Sequence, residues 1–247
     1  MFHPQYHHVF GPADLAPIPL LDHGYLQLID AWGSDAQIIE AARMSTNKGF
    51  NGWGTPDAPG DERLLAYLWQ HRHHTPFEMA GLTIEVKAPI FVFRQWHRHR
   101  TQGYNEMSAR YTPLPDEDYM PSLARLLADG GTNRQAGPVK DAPQLTPVQA
   151  RQYLALLEVH YARGQEIYQA ALDMGIPKEL ARIHLPVARY TRMRATANLR
   201  NWLHFLGLRA DSHAQHEIQV YAKALGSIVA KVFPRTWALF EEGRQAA

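Results

Sequence analysis

Cationic and hydrogen-bonding side chains are concentrated in one short stretch of the sequence, residues 98–111. An arginine–histidine–arginine triplet at 98–100 is followed by Ser108 and Arg110. A guanidinium group matches the planar geometry of phosphate and carboxylate, so this arrangement favours an anion-binding site. Ser108 could also be a nucleophile, but no GxSxG turn surrounds it and no Asp–His pair is evident in the spacing. We therefore interpret Ser108 as a hydroxyl group that donates to a ligand.

Two long segments contain basic residues and no acidic residue. One lies between Glu85 and Glu106, and the other lies between Glu179 and Asp211. The formal net charge of the chain is only +1 at pH 7, so its cations are concentrated locally. If folding brings the two segments together, bound anions would offset their repulsion. The basic residues of these segments are Lys87, Arg94, Arg98, Arg100, Arg182, Arg189, Arg192, Arg194, Arg200 and Arg209.

Two other interpretations of these basic segments stay open at this point. They could form a basic face that is simply exposed to solvent. They could also bind RNA, whose bases would stack on nearby aromatic side chains. The candidate stacking residues are Trp96, Tyr104 and Tyr111.

Arg209 precedes a segment that is typical of the beginning of a helix. Ser212 and Gln215 have the spacing of a capping box, which predicts that the helix begins near Ser212. The free N–H groups and the positive dipole end of that helix would reinforce an anion site beside Arg209. The alternative is an arginine that pairs with Glu217 or with a neighbouring subunit.

The histidines raise the question of a metal site. His73 and His74 are adjacent, so they cannot share one face of a helix, and no acidic ligand lies among the basic residues. His99 lies between two arginines, whose charge repels a cation. We therefore expect no metal, and we expect these histidines to have surface and hydrogen-bonding roles.

Composition limits the class of protein. The chain has 247 residues, of which 45% are hydrophobic and 11% aromatic, as in a globular domain. It contains no cysteine, which excludes disulfides, thiolate metal sites and cysteine nucleophiles. No apolar run approaches the roughly 18 residues of a membrane span, and no secretory signal is evident. We expect a cytoplasmic protein that does not bind a membrane. Its overall charge is too small to favour binding to nucleic acid.

Hydrophobic periodicity predicts the elements that position these residues, with more helix than strand and one sheet. The predicted strands are 24–33, 81–87 and 188–196. The predicted helices are 34–45, 61–73, 90–100, 121–129, a long helix at 146–174, a short helix after Pro177, 198–209 and 211–233. On the helix at 90–100, Gln95, Arg98 and His99 would share one face. Residues 1–20 are expected to form an irregular arm.

Several motifs follow one another in the order typical of one enzyme family. The triplet at 98–100 and Ser108 fit the Arg-His-Arg, seven residues, Ser signature of the flavin-dependent thymidylate synthases. The chain resembles this family over most of residues 20–240. Its other matching segments are "HTPFE" at 74–78, "KAPIFVFRQWHRHR" at 87–100, "NEMSARY" at 105–111, "LARIHLPVARYTR" at 180–192 and "NLRNWLHFLGLRADSHAQHEIQVYA" at 198–222.

The resemblance implies an α/β fold of the α+β type, with a central antiparallel sheet flanked by helices. It implies one domain at 21–247, with a poorly matching excursion at 116–145, and a homotetramer with active sites between subunits. It also implies a reaction in which NADPH reduces bound FAD and methylene-tetrahydrofolate supplies a methylene to dUMP. The reduced flavin then delivers hydride to complete the methyl group of dTMP.

The resemblance assigns roles to individual residues. The implied FAD ligands are Thr75, Arg98, His99, Arg100, Thr101, Glu106, Asn198, Leu199, Arg200 and His204. The implied dUMP ligands are Gln95, Trp96, His97, Arg98, Glu106, Met107, Ser108, Ala109, Arg110, Arg182 and Arg209. Arg209 would be catalytic and face the uracil, where a protonated guanidinium stabilises negative charge more easily than it acts as a base. His73 would lie beside the flavin and the substrate.

Two further observations bear on the resemblance. The other known route to dTMP uses a cysteine nucleophile, which this chain lacks, so the composition agrees with the flavin route. Gly103 occupies a position where a small hydroxyl residue is common in the family, which is expected to remove one hydrogen bond and loosen the loop. The alternatives are an RNA-binding protein and a flavoprotein that has lost synthase activity.

Overall fold

Five antiparallel strands form one sheet in the order β1-β2-β3-β5-β4. The computed structural model describes residues 10, 11, 13–55, 57–128 and 144–245. The strands are β1 (Ile18–Leu20), β2 (Gly24–Trp32), β3 (Gly81–Pro89), β4 (Gly103–Glu106) and β5 (Tyr190–Asn198). The α-helices of the described residues are α1 (Asp35–Arg43), α2 (Glu62–Gln70), α3 (Ile90–Trp96), α4 (Leu123–Leu127), α5 (Pro147–Asp173), α6 (Lys178–Ala181), α7 (Leu199–Arg209), α8 (His216–Val232) and α9 (Pro234–Gln245). The predicted antiparallel sheet flanked by helices is confirmed.

The two long central strands separate an apolar face from a polar face. On β3, Leu82, Ile84 and Val86 are fully buried, whereas the intervening side chains are partly exposed. β3 pairs with β5 along its whole length, from Gly81 opposite Asn198 to Pro89 opposite Tyr190. Each fully buried leucine or isoleucine contributes roughly 1.5–3 kcal/mol, so the alternating pattern fixes which face meets the helices.

Helix α8 covers the apolar face with the stripe that its sequence predicts. Ile218, Tyr221, Leu225 and Val229 are fully buried. The phenolic hydroxyl group of Tyr221 donates to the carbonyl oxygen of Lys87 at 2.8 Å, which ties the helix to β3. The core therefore lies between the sheet and the helices that follow β5.

Several predicted helix boundaries are wrong, and two of these errors affect the predicted site residues. Helix α3 ends at Trp96, so Arg98 and His99 lie in the turn after it rather than on a shared helical face. Helix α8 begins at His216, and its N-cap residue Gln215 makes no side-chain capping bond. The carboxylate of Asp211 accepts the N–H of His213 at 2.8 Å, and this local turn competes with the predicted capping box.

Three elements are absent from the sequence prediction: β1, β4 and α9. β1 occupies Ile18–Leu20, so the irregular arm is shorter than expected, and residues 1–9 lie outside the described residues. β4 is a four-residue edge strand without an apolar pattern. The N-terminus of α9 is capped by the carboxylate of Asp35, which accepts the N–H groups of Arg235 and Thr236 at 2.9 and 3.1 Å. Of the predicted excursion, residues 129–143 also lie outside the described residues.

Candidate active site

The motif residues lie on both sides of the short strand β4. Gly103 pairs with Thr196 at one end of β4, and Glu106 pairs with Met193 at the other. The residues before Gly103 therefore approach the beginning of α7, where the carbonyl oxygen of Thr101 accepts a hydrogen bond from the Asn201 amide at 3.1 Å. The residues after Glu106 run toward the opposite end of β5. β4 thus separates two groups of predicted ligands.

The first group lines a cavity of about 550 Å³. Thr101, Arg200 and His204, three of the predicted FAD ligands, are among its walls. The guanidinium of Arg200 also donates to the carboxylate of Glu78 at 2.5 Å. Pockets of this size are typical of small-molecule and cofactor sites. The other lining residues are Trp69, His74, Phe77, Asn201, Leu203, Phe240, Gly243 and Arg244.

The cavity is lined by cationic as well as aromatic side chains, although Arg200 pairs with Glu78 and Arg244 with Glu241. Burial, reinforced by the charges of Arg200 and Arg72, lowers the pKa of the His74 imidazole below its ordinary value. Arg244 enters from α9 and Arg200 from α7, so cations converge from two elements. Such a lining suits a ligand that carries both an aromatic ring and phosphate groups.

Arg209 lies at the end of α7 and contacts the turn that follows α3. Its Nε donates to Nε2 of His99 at 2.9 Å, and its Nη2 donates to the carbonyl oxygen of Gln95 at 3.3 Å. Burial is the main cause that lowers the pKa of the Arg209 guanidinium, and the positive charge of the nearby Arg98 lowers it further. The expected position at a helix N-terminus is wrong, because Arg209 is the last residue of α7. In the described residues it makes no ion pair with Glu217.

His99 is a buried hydrogen-bond acceptor. It is only 6% exposed, and the carbonyl oxygen of its own residue accepts the hydroxyl group of Tyr104 at 2.7 Å. Burial, with the charge of Arg209 and the proximity of His204, lowers the pKa of His99 to about 4. The imidazole is therefore neutral at pH 7 and able to accept the Arg209 N–H.

Acidification should destabilise the protein through His99. The pKa of His99 is about 4 in the folded chain and 6.5 when unperturbed, so between these values only the unfolded state binds the proton. Stability is therefore lost as the pH falls through this window, by on the order of 2 kcal/mol between pH 7 and 4.5. Denaturant unfolding at both pH values should show this loss in the wild type.

The matched variant is His99→Gln, which keeps a neutral acceptor for Arg209 but does not titrate. Its unfolding free energy should fall less than that of the wild type over the same pH range. Parallel pH profiles for the two proteins would show that His99 is not the group responsible.

The second group of predicted ligands lies beyond β4. The Arg110 guanidinium donates to the carboxylate of Glu179 at 3.0 Å, and both side chains are about half exposed. The backbone N–H of Arg110 donates to the hydroxyl oxygen of Ser108 at 3.3 Å. Exposed ion pairs contribute little stability, so a phosphate could displace Glu179 from Arg110 at small cost. Arg182 follows α6 in the short 3-10 helix Arg182–His184.

Folding neutralises part of the two acid-free segments with acids from other segments. Arg192 and Arg194 both approach Glu85 on the neighbouring strand, at 3.9 and 3.2 Å. By contrast, Arg98 and Arg100 are exposed and make no ion pair within the described part of the chain. Within the same described residues, Arg94, Arg182 and Arg209 also make no ion pair, so these arginines and those of the triplet are the ones available to an anion.

Some predicted ligands have side chains that cannot reach a ligand. Trp96 and Leu199 are fully buried in the core, and Ala109 is 3% exposed. The indole N–H of Trp96 donates to the Gln102 side chain at 3.0 Å. Only the backbone of these residues could contact FAD or dUMP, and Trp96 cannot stack on an RNA base.

The remaining predicted residues lie around these groups. His97 contacts the Met193 sulfur at 3.2 Å, and Met107 donates its N–H to the carbonyl oxygen of Arg192 at 2.8 Å. The side chain of Asn198 caps α7. His73 is exposed and stacks edge-on against Tyr67, with ring centroids 5.6 Å apart. Thr75 begins the 3-10 helix Thr75–Met79, and Glu106 ends β4.

Sequence reasoning missed most of the cavity walls. Trp69 lies in a predicted helix and Phe77 in a matching segment, but neither is predicted as a ligand, and Phe240 and Arg244 lie on the unpredicted helix α9. A proline followed by aromatic and basic residues at helical spacing, 234–244, was the available signal.

Within the described residues, no group of three or more histidine or acidic side chains could hold a metal ion. No helix among them is long and apolar enough to span a membrane.

Comparison with known proteins gives the same family at several levels. A family model described as thymidylate synthase complementing protein matches residues 27–235. The flavin-dependent thymidylate synthase of Ruegeria pomeroyi is 42% identical over 233 residues, covering 93% of this chain and 74% of the relative. That of Thermosipho africanus is 42% identical over 221 residues, covering 90% of this chain and 92% of the relative.

Solved structures agree with the sequence relatives. The chain is similar to the UMP/dUMP methylase PolB from Streptomyces cacaoi bound with 5-Br dUMP, with a TM-score of 0.78 and 34% identity. The match covers 91% of this chain and 97% of that chain. The same enzyme bound with 5-Br UMP gives a TM-score of 0.77. These relatives are enzymes and lend no support to the RNA-binding alternative. The prediction from the motifs is confirmed, and the chain belongs to the family of flavin-dependent thymidylate synthases.

Proposed function

We propose that this enzyme converts dUMP to dTMP, with methylene-tetrahydrofolate as the one-carbon donor and NADPH as the reductant. The observation that carries the proposal is the combination of the cavity beside Thr101 with the Arg209–His99–Gln95 cluster. The cluster lies within the segments that resemble the family, and the cavity combines residues of those segments with Trp69 and with Phe240, Gly243 and Arg244 of α9. The cavity supplies a cofactor site, and the cluster supplies a cation beside a polar site.

The residues of the cavity fit FAD. Arg200 and Arg244 provide cations for a pyrophosphate, and Trp69 and Phe240 provide aromatic walls for a planar ring. When bound and reduced by NADPH, FAD would supply the hydride that completes the methyl group. We assign Thr101, Arg200 and His204 to it, as the motifs imply.

Arg209 is the proposed catalytic residue. Its Nε and Nη2 hold the guanidinium against His99 and Gln95, so the remaining N–H donors have a fixed direction. A uracil ring that is activated at C5 gains negative charge on its oxygens and N3. A preorganised guanidinium in a partly buried site stabilises that charge without reorganising. His99 stays neutral, so it accepts from Arg209 and adds no competing cation.

The proposed homotetramer is supported by apolar surface on α5. Leu156 and Val159 are each 69% exposed, and Val148 is 58% exposed. Exposed apolar rows of this kind mark interaction surfaces. The separation of the Ser108–Arg110 group from the Arg209 cluster by β4 also favours sites that are completed between subunits. A cytoplasmic location stays a prediction.

One spectroscopic experiment tests the proposed function. The purified protein should be yellow, and NADPH should bleach its flavin absorption when oxygen is excluded. Addition of dUMP and methylene-tetrahydrofolate should then yield dTMP. Colourless protein that fails to take up added FAD would contradict the proposal, and ligand binding without dTMP formation would favour the inactive flavoprotein. Salt-sensitive RNA binding that dUMP does not displace would favour the RNA-binding alternative.

A further inference from the structure

Two hydrogen bonds hold the turn that follows Arg209 against the rest of the protein. The Gln219 amide donates through Nε2 to the backbone carbonyl oxygen of Asp211 at 2.6 Å. The guanidinium of Arg244 donates through Nη2 to the carbonyl oxygen of Ala210 at 3.4 Å. Ala210 and Asp211 directly follow Arg209, so α8 and α9 both constrain the end of α7. The shorter bond, from Gln219, is the stronger constraint.

The orientation of the Gln219 amide is fixed from both sides. Its Oε1 accepts a hydrogen bond from Lys223 Nζ at 2.9 Å. An ammonium group can only donate and a backbone carbonyl oxygen can only accept, so the amide cannot turn over without losing both bonds. Gln219 itself is half-buried, and its neighbour Ile218 is fully buried in the core. The donor is therefore carried by a part of α8 that packs firmly against the sheet and its neighbouring helices.

Asp211 gives the turn a fixed shape. Its carbonyl oxygen also accepts the N–H of Ala214 at 3.1 Å, and its carboxylate accepts the N–H of His213 at 2.8 Å. Because these bonds hold the turn together locally, the bond from Gln219 acts on the turn as a unit. Only one residue separates Asp211 from Arg209, so a displacement of the turn would move the Arg209 backbone as well.

We propose that Gln219 is a positioning residue that fixes the backbone from which the Arg209 guanidinium reaches its site. The inference rests on the proposed function, in which Arg209 is the catalytic residue. His99 and the Gln95 carbonyl oxygen hold the tip of this side chain, and the Gln219 bond holds its base. A preorganised cation stabilises developing charge better than a mobile one, and a small displacement can cost a large factor in rate. Gln219 therefore acts on turnover through Arg209 rather than by contacting a ligand.

The variant Gln219→Met removes the amide but keeps a side chain of similar length. It should lower kcat about tenfold and change the dissociation constants of FAD and dUMP less than about twofold, because Arg209 keeps its charge but loses its fixed position. The isosteric variant Gln219→Glu should lower kcat by at least as much, because its carboxylate would face the carbonyl oxygen of Asp211 and repel it.

The matched control is Gln27→Met. Gln27 is also half-buried, and it donates through Nε2 to a backbone carbonyl oxygen, that of Leu15, at 2.8 Å. It lies on β2, outside the cavity and the Arg209 cluster, so its replacement should leave kcat unchanged. Single-turnover kinetics on the FAD-loaded protein gives the rate, and titration calorimetry gives both dissociation constants.

A double variant tests whether Gln219 acts through Arg209. Arg209→Lys already lacks the guanidinium, so the addition of Gln219→Met should lower kcat by no more than about twofold further. A side chain with a merely structural role would instead lower kcat by the same factor in both backgrounds. Should Gln219→Met not fold, Gln219→Glu is compared in the same two backgrounds.

The outcomes separate this inference from the proposed function. A wild type that forms no dTMP would refute the proposed function and, with it, the catalytic role on which the inference rests. If the wild type is active but Gln219→Met and Gln219→Glu both keep its kcat, the positioning role alone is refuted. Equal losses in the wild-type and Arg209→Lys backgrounds, or a loss in Gln27→Met as large as that in Gln219→Met, would also overturn the positioning role.

Discussion

Replacing Arg209 with lysine should lower kcat about 100-fold or more while changing the affinity for FAD far less. The lysine keeps the positive charge but has neither the planar fork nor the fixed geometry of a guanidinium. A single ammonium group cannot reproduce both contacts, from Nε to His99 and from Nη2 to the Gln95 carbonyl. The loss should therefore fall on turnover, which single-turnover kinetics and FAD titration measure separately.

A suitable control is Arg194→Lys. Arg194 is 58% exposed on β5 and pairs with Glu85, outside the cavity and the Arg209 cluster. This change should alter neither turnover nor FAD affinity appreciably. Equal losses of turnover and FAD affinity in Arg209→Lys would instead make Arg209 a flavin ligand or a structural residue.

Replacing Arg189 with methionine should lower the free energy of unfolding by about 3–5 kcal/mol. Arg189 is fully buried, and its Nη1 donates to the carbonyl oxygen of Pro115 at 2.8 Å and to the Asp116 carboxylate at 3.1 Å. Its Nη2 lies 3.0 Å from the carboxylate of Asp118, which is 4% exposed. Removal of the cation leaves that carboxylate buried without its partner.

The double variant Arg189→Met/Asp118→Asn separates charge from packing. Burial already raises the pKa of Asp118 to about 6 even with Arg189 beside it. Neutralising Asp118 should therefore restore part of the stability that the single variant loses. Denaturant unfolding at one protein concentration gives both values, since assembly shifts apparent stability. A double variant no more stable than Arg189→Met would contradict this account.

Local patterns in the sequence were sufficient to predict the elements on which the site is built. The alternation around Ile84 predicts β3, the helical pattern of 198–209 predicts α7, and Thr146-Pro147 predicts the start of the long helix α5. Each signal is carried by residues within one element. The sequence motifs on these elements then indicated the family to which the chain belongs.

The errors concern features that depend on distant partners or on competing turns. α9 begins where Asp35 caps it from the other end of the chain, and no local pattern contains that bond. β4 exists because β5 offers it a partner, although its own residues are mostly exposed. The helix at 90–100 ends early, and the Asp211 turn delays α8, because local hydrogen bonds compete with the helical pattern.

The residue types that form the site could be predicted from the sequence, but their ion pairs, their burial and their positions relative to one another could not. The two basic segments indicate an anion site, but their sequences do not reveal that Glu85 neutralises Arg192 and Arg194. The burial of Trp96 and Leu199 is likewise set by tertiary packing. The hydrogen bonds from Gln95 to Gln215 and from Gln215 to Glu217 connect α3 with the beginning of α8, so sequence spacing could not have shown them.

The pairing of β3 with β5 has a consequence for how the molecule folds. Residues 90–189 lie between the two strands, so a long loop must close before this central pair can form. Gln95 and His99 lie at the start of that loop, whereas Arg209 follows its end. A growing chain on the ribosome therefore holds no assembled site until β5 and α7 have been synthesised. Ligands would therefore bind and stabilise a chain that contains β5 and α7, but they would not stabilise the shorter nascent chains.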